Sequence, residues 1–143
     1  GGLATGGNTF TLDITKKMSV TLENAHQLKV LNGLAPGAKQ TQLTAALRPA
    51  LRSIITETRK VIRYYNERLS NERRLEQILI VGSGSNVPGI GEFFTNELVM
   101  PSRTANPWQQ LNFGELPQPA KQFRSRYISV AGLANIPKGA MWQ

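Results

Sequence analysis

The chain contains no cysteine, a single histidine and only 9 acidic residues among 143. Without cysteine there are no disulfides and no thiolate metal sites, a composition that suits a reducing compartment. His26 stands alone, which excludes a zinc cluster and leaves any histidine-dependent triad resting on that residue. No apolar run approaches the roughly 20 residues that a membrane-spanning helix needs, and no signal peptide opens the chain. Aromatic residues make up 7% and are not interleaved with basic ones as a nucleic-acid stacking surface requires, so nucleic acid is not an expected partner. No general base and no metal-binding pair of carboxylates occurs at a usable spacing, which argues against catalysis by these residues on their own.

What is present is an ordinary globular composition, 40% hydrophobic and 18% charged, with a net charge of +8. Such a balance permits association with an anionic membrane surface, an acidic partner or nucleic acid. The basic residues are scattered. Their densest group (Arg59, Lys60, Arg63, Arg68, Arg73, Arg74) reads as the solvated face of one helix and its exit.

Periodicity orders the chain. Phe10, Ile14 and Met18 repeat every four residues and predict a first helix, capped by Asn8 or Thr9. After a break at Ser19-Val20-Thr21, "LENAHQLKVLNG" reads as a second helix stopped by Asn32-Gly33. "LAPGAKQTQ" is expected to be a loop. Leu51, Ile54, Ile55, Thr58, Val61, Ile62, Tyr65 and Leu69 then form one helical stripe, with Pro49 in its first turn and an end near Ser70. Residues 75–81, rich in β-branched side chains, predict a buried strand. Ile90, Phe93, Phe94 and Leu98 return to helical spacing, "PSRTANP" offers a short strand, and "AKQFRSRYISVAGLANI" predicts a last helix ended by Pro137. Helices with a buried strand between them make an α/β fold, with a small sheet faced by helices 49–70 and 88–98.

The segment "VGSGSNVPG" (81–89) joins the predicted strand to the next helix. Small residues at a strand's carboxyl end let backbone N–H groups and a helix N-terminus approach an anion. A P-loop would end in Gly-Lys-Ser/Thr, and no lysine is there. A dinucleotide fingerprint would place its third glycine at Val87, so that fails as well. Taken alone, the loop is as consistent with a plain turn as with a nucleotide cradle.

The surrounding residues carry a resemblance. "LEQILIVGSGSNVPGIGEFFTNELVMPSRTANPW" resembles the adenosine loop of actin-like ATPases. It is most similar to the PilM family of type IV pilus proteins, relatives of the cell-division protein FtsA, which carry "GGGANLPG" here. Upstream, "GGNTFTLDI", "ENAHQLKVLNG" and "ITETRKVIRYY" are similar to the family's "GGN.LT.AI", "EEAE.LK...G" and "EI.RSL.YY", and Gly132-Leu133-Ala134 matches its final "GLA".

The resemblance implies an actin-like (ribonuclease H-like) ATPase fold present in part. Residues 1–122 would be domain II, with a small helical subdomain inserted at about 19–45, and residues 123–143 a closing helix and tail returning to domain I. The family's cofactor is ATP with magnesium. Gly6 and Gly7 would line the phosphate side, Lys29 would reach the ribose or adenine, and Gly82, Ser83, Gly84 and Asn86 would form the adenosine loop. A surface lysine and ordinary turn glycines are the alternatives. Two positions depart from the family: His26 replaces the ribose-contacting glutamate and Ser83 the middle glycine. The implied role is a cytoplasmic adaptor peripheral to the inner membrane, partnering a PilN-like protein whose site lies mostly outside these residues. An FtsA-like division protein and a scaffold that no longer binds ATP are the alternatives. ATP binding by these residues alone is not expected. The surface that domain I would cover should leave an apolar patch and favour homo-oligomers, with the closing helix around residues 127–133 the likeliest element to be exchanged.

Overall fold

The structure, a computed structural model, describes residues 1–68 and 74–136. It is the mixed helix-and-strand fold expected, with five helices and two short strands among the described residues. Expectations resting on Leu69, Ser70, Arg73 and Pro137 lie outside them.

Helix α1 (Gly7–Met18) begins earlier than Asn8 or Thr9, at an extended Gly6. Thr9 does not cap it from outside; as its third residue it reaches back, Oγ1 accepting from the Gly6 N–H at 3.3 Å. The two threonines that follow, Thr11 and Thr15, donate to the carbonyls one turn back, the usual resort of a hydroxyl inside a helix. Helix α2 (Leu22–Leu31) is capped by Thr21, whose side chain accepts from Asn24 N–H. It stops at Asn32 and Gly33 as the sequence indicates.

Helix α3 (Gln40–Arg68) starts nine residues before Pro49, which therefore sits in the helix interior and not in its first turn. Leu43, Ala46 and Leu47 continue the stripe upstream and are buried, and their burial outweighs the missing proline N–H. Pro49 and Ala45, whose carbonyl loses its donor, are both exposed, so water can satisfy it. The far half of α3 is a second departure. Burial ends at Ile55, while Val61 and Tyr64 stand about half exposed. The arginines Arg59, Arg63 and Arg68 form a solvated face, as expected.

The core is helix on helix. Ile14, Leu43, Leu47 and Leu51 are its largest fully buried side chains, joined by Phe10 and Ala25 and by Val87, Ile90 and Phe94 at the other end. Strand β1 (Ile78–Ile80) and strand β2 (Ser102–Thr104) pair in parallel, Leu79 opposite Arg103, with helix α4 (Ile90–Leu98) crossing between them. The expected buried strand at 75–81 is thus shorter and only half covered: Leu79 is 51% and Val81 49% exposed. Alternate residues point to opposite faces, and a two-stranded sheet with one crossover helix has one face covered. Ile80, on the covered face, packs against the core.

Helix α5 (Lys121–Ala134) lies against the 3-10 turn at Ser83–Asn86. Phe123, Tyr127, Val130 and Leu133 are 40–64% exposed and recur at helical spacing, leaving an apolar row on this helix.

Candidate functional site

Two glycine pairs, far apart in sequence, meet where α1 begins. A Cβ added at Gly7 would lie 3.1 Å from Ser83 Oγ and 3.2 Å from Gly84 N, and one added at Gly84 would lie 3.5 Å from Gly7 N. At Gly7 the contact is tighter than a side chain ordinarily allows, so glycine lets the turn's backbone approach; at Gly84 it is an ordinary van der Waals distance. Gly6 and Gly82 do the opposite: a Cβ on either would meet nothing within 4 Å, so they present backbone to open space. Gly82 also holds φ +90° and ψ 173°, a conformation essentially reserved to glycine. Its carbonyl accepts from Ser85 N–H (3.0 Å) and Ser85 Oγ (2.8 Å), which pins the turn from inside. Val87, 3% exposed, anchors the far end in the core. Ser83 sits with its hydroxyl toward α1, and Asn86 closes the turn on its exposed side.

Lys29 is not on the surface. It is 6% exposed, and its Nζ donates to Gly7 O (2.9 Å) and Thr11 Oγ1 (2.6 Å), tying α2 to the first turn of α1. None of the described acidic residues forms an ion pair with it. Burial lowers its pKa below the ordinary 10.5, and the positive charge of Arg126 on α5 lowers it further. A buried ammonium, the positive end of α1 and a nearby guanidinium thus converge, and among the described residues no ion pair offsets the ammonium.

The sign of this shift gives a test. Between the lowered folded pKa and 10.5 the unfolded chain binds a proton that the folded chain has released, so stability rises with pH there. Melting temperatures measured from neutral pH toward 10.5 should rise for the wild type relative to Lys29→Met, which lacks the group. A constant gap between the two would show that Lys29 titrates as if exposed.

Beside this cluster an open groove of about 670 Å³ runs between α1 and α2, lined by Asn8, Thr11, Leu12, Leu22, Glu23 and His26. It is within the range of small-molecule sites. His26 is exposed in the groove, one helical turn from Glu23. Sequence reasoning singled out His26 and passed over Glu23, although their three-residue spacing puts both on one helix face. Thr11, Ser125 and Arg126 were also missed. Among the described residues no cluster of His, Cys, Asp or Glu could hold a metal ion, and no helix is long and apolar enough to cross a membrane.

The family model described as type IV pilus assembly protein PilM matches residues 3–135. Among solved structures, the chain is similar to one described as a PilM-PilN type IV pilus biogenesis complex, at 20% identity and a TM-score of 0.64. That match covers 94% of this chain and 38% of the other, so the chain spans well under half the length of that relative and shares its fold. No curated protein matches the sequence. With the family match running through both glycine pairs, Lys29 and nearly all of the chain, the sequence belongs to the family of the type IV pilus assembly protein PilM.

Proposed function

We propose that these residues form one wall of an actin-like nucleotide cleft, the domain II side of a ribonuclease H-like ATPase fold, in an adaptor of the type IV pilus assembly platform. The observation that carries this reading is the positive site: Lys29 buried, with no ion pair among the described residues, against the first turn of α1, where Gly6 and Gly82 present backbone to open space. Phosphate oxygens of ATP would supply the missing negative charge, accepting from the α1 N-terminus and the glycine turn. The groove with Glu23 and His26 lies next to it and would take the sugar. Magnesium would arrive on the phosphates, since the cluster itself offers no carboxylate. Residues 1–122 would then be domain II, with its inserted helical subdomain at about 19–45, and residues 123–143 the segment returning to domain I. The partner would be a PilN-like inner-membrane protein, docking mostly outside these residues, and the location cytoplasmic and peripheral to that membrane.

A second reading has its own support. Lys29 already has two acceptors in Gly7 O and Thr11, and His26 is a poorer ligand for paired hydroxyls than a carboxylate. Both would suit a scaffold of the same fold that has given up ATP. Calorimetry with Mg-ATP decides between them. The full-length protein carrying this sequence should bind in the micromolar range. Residues 1–143 alone should neither bind detectably nor hydrolyse ATP, because each lost bond to a charged group costs about 1.5–3 kcal/mol and the opposite wall would be absent. Micromolar affinity of residues 1–143 would overturn the two-wall arrangement, and no affinity in the full-length protein would establish the scaffold.

A further inference from the structure

Helix α5 packs on the glycine turn through a face that carries an unexplained polar group. Ser125 is 7% exposed, and its hydroxyl is buried without a hydrogen-bond partner. A serine inside a helix ordinarily donates to the carbonyl one turn back, as Thr11, Thr15 and Thr58 do here; Ser125 does not. The next residue, Arg126, is near enough to the buried Lys29 to act on its charge. Its guanidinium lies over the Phe123 ring at 5.4 Å, which holds it on α5 without neutralising it. Lys29 in turn is bonded to Gly7, whose backbone touches Gly84 in the turn on which α5 rests. Lys29, the start of α1 and the glycine turn are thus linked to α5, which brings a second cation and carries one unsatisfied buried hydroxyl beside it.

We propose that α5 is the third wall of the anion site, with Arg126 and Ser125 binding a phosphate-type oxyanion held on its other sides by Gly6, Gly7, Lys29 and the glycine turn. The inference rests on the nucleotide reading of this site and adds two ligands to it from a helix about 100 residues away in sequence. Without an anion, Arg126 and Lys29 repel one another and the Ser125 hydroxyl is wasted. With one between them, the repulsion becomes a shared attraction.

The test uses the full-length protein, with ATP, tripolyphosphate and adenosine as ligands, by calorimetry. Arg126→Gln should weaken ATP and tripolyphosphate by about tenfold or more and leave adenosine unchanged. Ser125→Ala should weaken the two phosphate ligands by about three- to tenfold. Its melting temperature without ligand should be equal or higher, because replacing an unsatisfied buried hydroxyl by a methyl group removes a penalty. A lower melting temperature would mean that the hydroxyl already has a protein partner, and overturns its assignment. If the wild type binds ATP and both variants bind it within twofold, the third wall is wrong while the nucleotide site stands. A wild type that binds neither ATP nor tripolyphosphate overturns the site itself.

Discussion

Gly33→Ala should destabilise the chain by about 3 kcal/mol, more than its single added methyl group suggests. Gly33 has φ +50°, and a Cβ there would lie 2.6 Å from Pro88 Cδ and 2.8 Å from both the nitrogen and the carbonyl oxygen of Pro88. These atoms are backbone or ring and cannot swing aside. Across the same contact Leu34 N–H donates to Pro88 O at 2.8 Å. Gly89 answers from the other side at φ +78°, where a Cβ would lie 2.9 Å from Ala35 N. The connection from α2 to α3 is therefore seated backbone to backbone on the turn that starts α4. The left-handed conformation costs a non-glycine residue roughly 1 kcal/mol, and the clash, which must move one of the two segments, supplies the rest. At this size the melting temperature should fall by about 10 °C. Gly37→Ala is the control: it has an ordinary backbone and nothing within 4 Å, so it should change stability by less than about 0.5 kcal/mol. A Gly33→Ala variant melting with this control would mean that the two segments separate easily.

On the proposed nucleotide reading, Gly82→Val should abolish ATP binding in the full-length protein while leaving it folded. A Cβ there would meet nothing within 4 Å, so the added bulk points away from the core. The obstacle is φ +90° with ψ 173°, which a β-branched residue cannot hold without strain of about 1–3 kcal/mol. The turn would relax, and the amides from Ser83 to Asn86 would leave their positions along with the Gly82 carbonyl that fixes Ser85. The valine methyls would also fill the open space that Gly82 leaves. Together these should lower affinity more than about 100-fold, past calorimetric detection for a micromolar ligand. Circular dichroism should remain that of the wild type. ATP affinity retained within about threefold would remove the glycine turn from the site.

Local patterns announced the elements whose burial is local. The four-residue spacing of Phe10 and Ile14 and the Asn32-Gly33 stop gave α1 and α2, because the same residues that set the period are those the core buries. Pro49 misplaced the start of α3: proline suits a first turn, but it also survives on the exposed side of an interior one when Leu43, Ala46 and Leu47 are buried opposite. The run at 78–81 could not reveal how many strands would lie beside it, and with one neighbour Leu79 is left in water. At the site, the glycines stood out by their motif. The approach of Gly7 to Gly84 did not, nor did the burial of Lys29, because its acceptors belong to another helix. Ser125 and Arg126 carry no signal of their own; only the packing of α5 on the turn gives them a place.

Helix α3 has a mechanical consequence. It is rooted by Leu43 through Ile55 between α1 and α4, while its remaining turns are largely exposed, with Arg59 reaching Glu97 on α4. From Ile55 to Arg68 is roughly 20 Å at 1.5 Å per residue. A tilt of about 5° at the root, the scale of a helix sliding on its neighbours, therefore displaces the tip by about 2 Å. α1, which bears Gly6 and Gly7 at one end, packs on that root along its length. The rod would thus act as a pointer: a tilt too small to register among close-packed side chains at its root would be magnified at exposed Arg68.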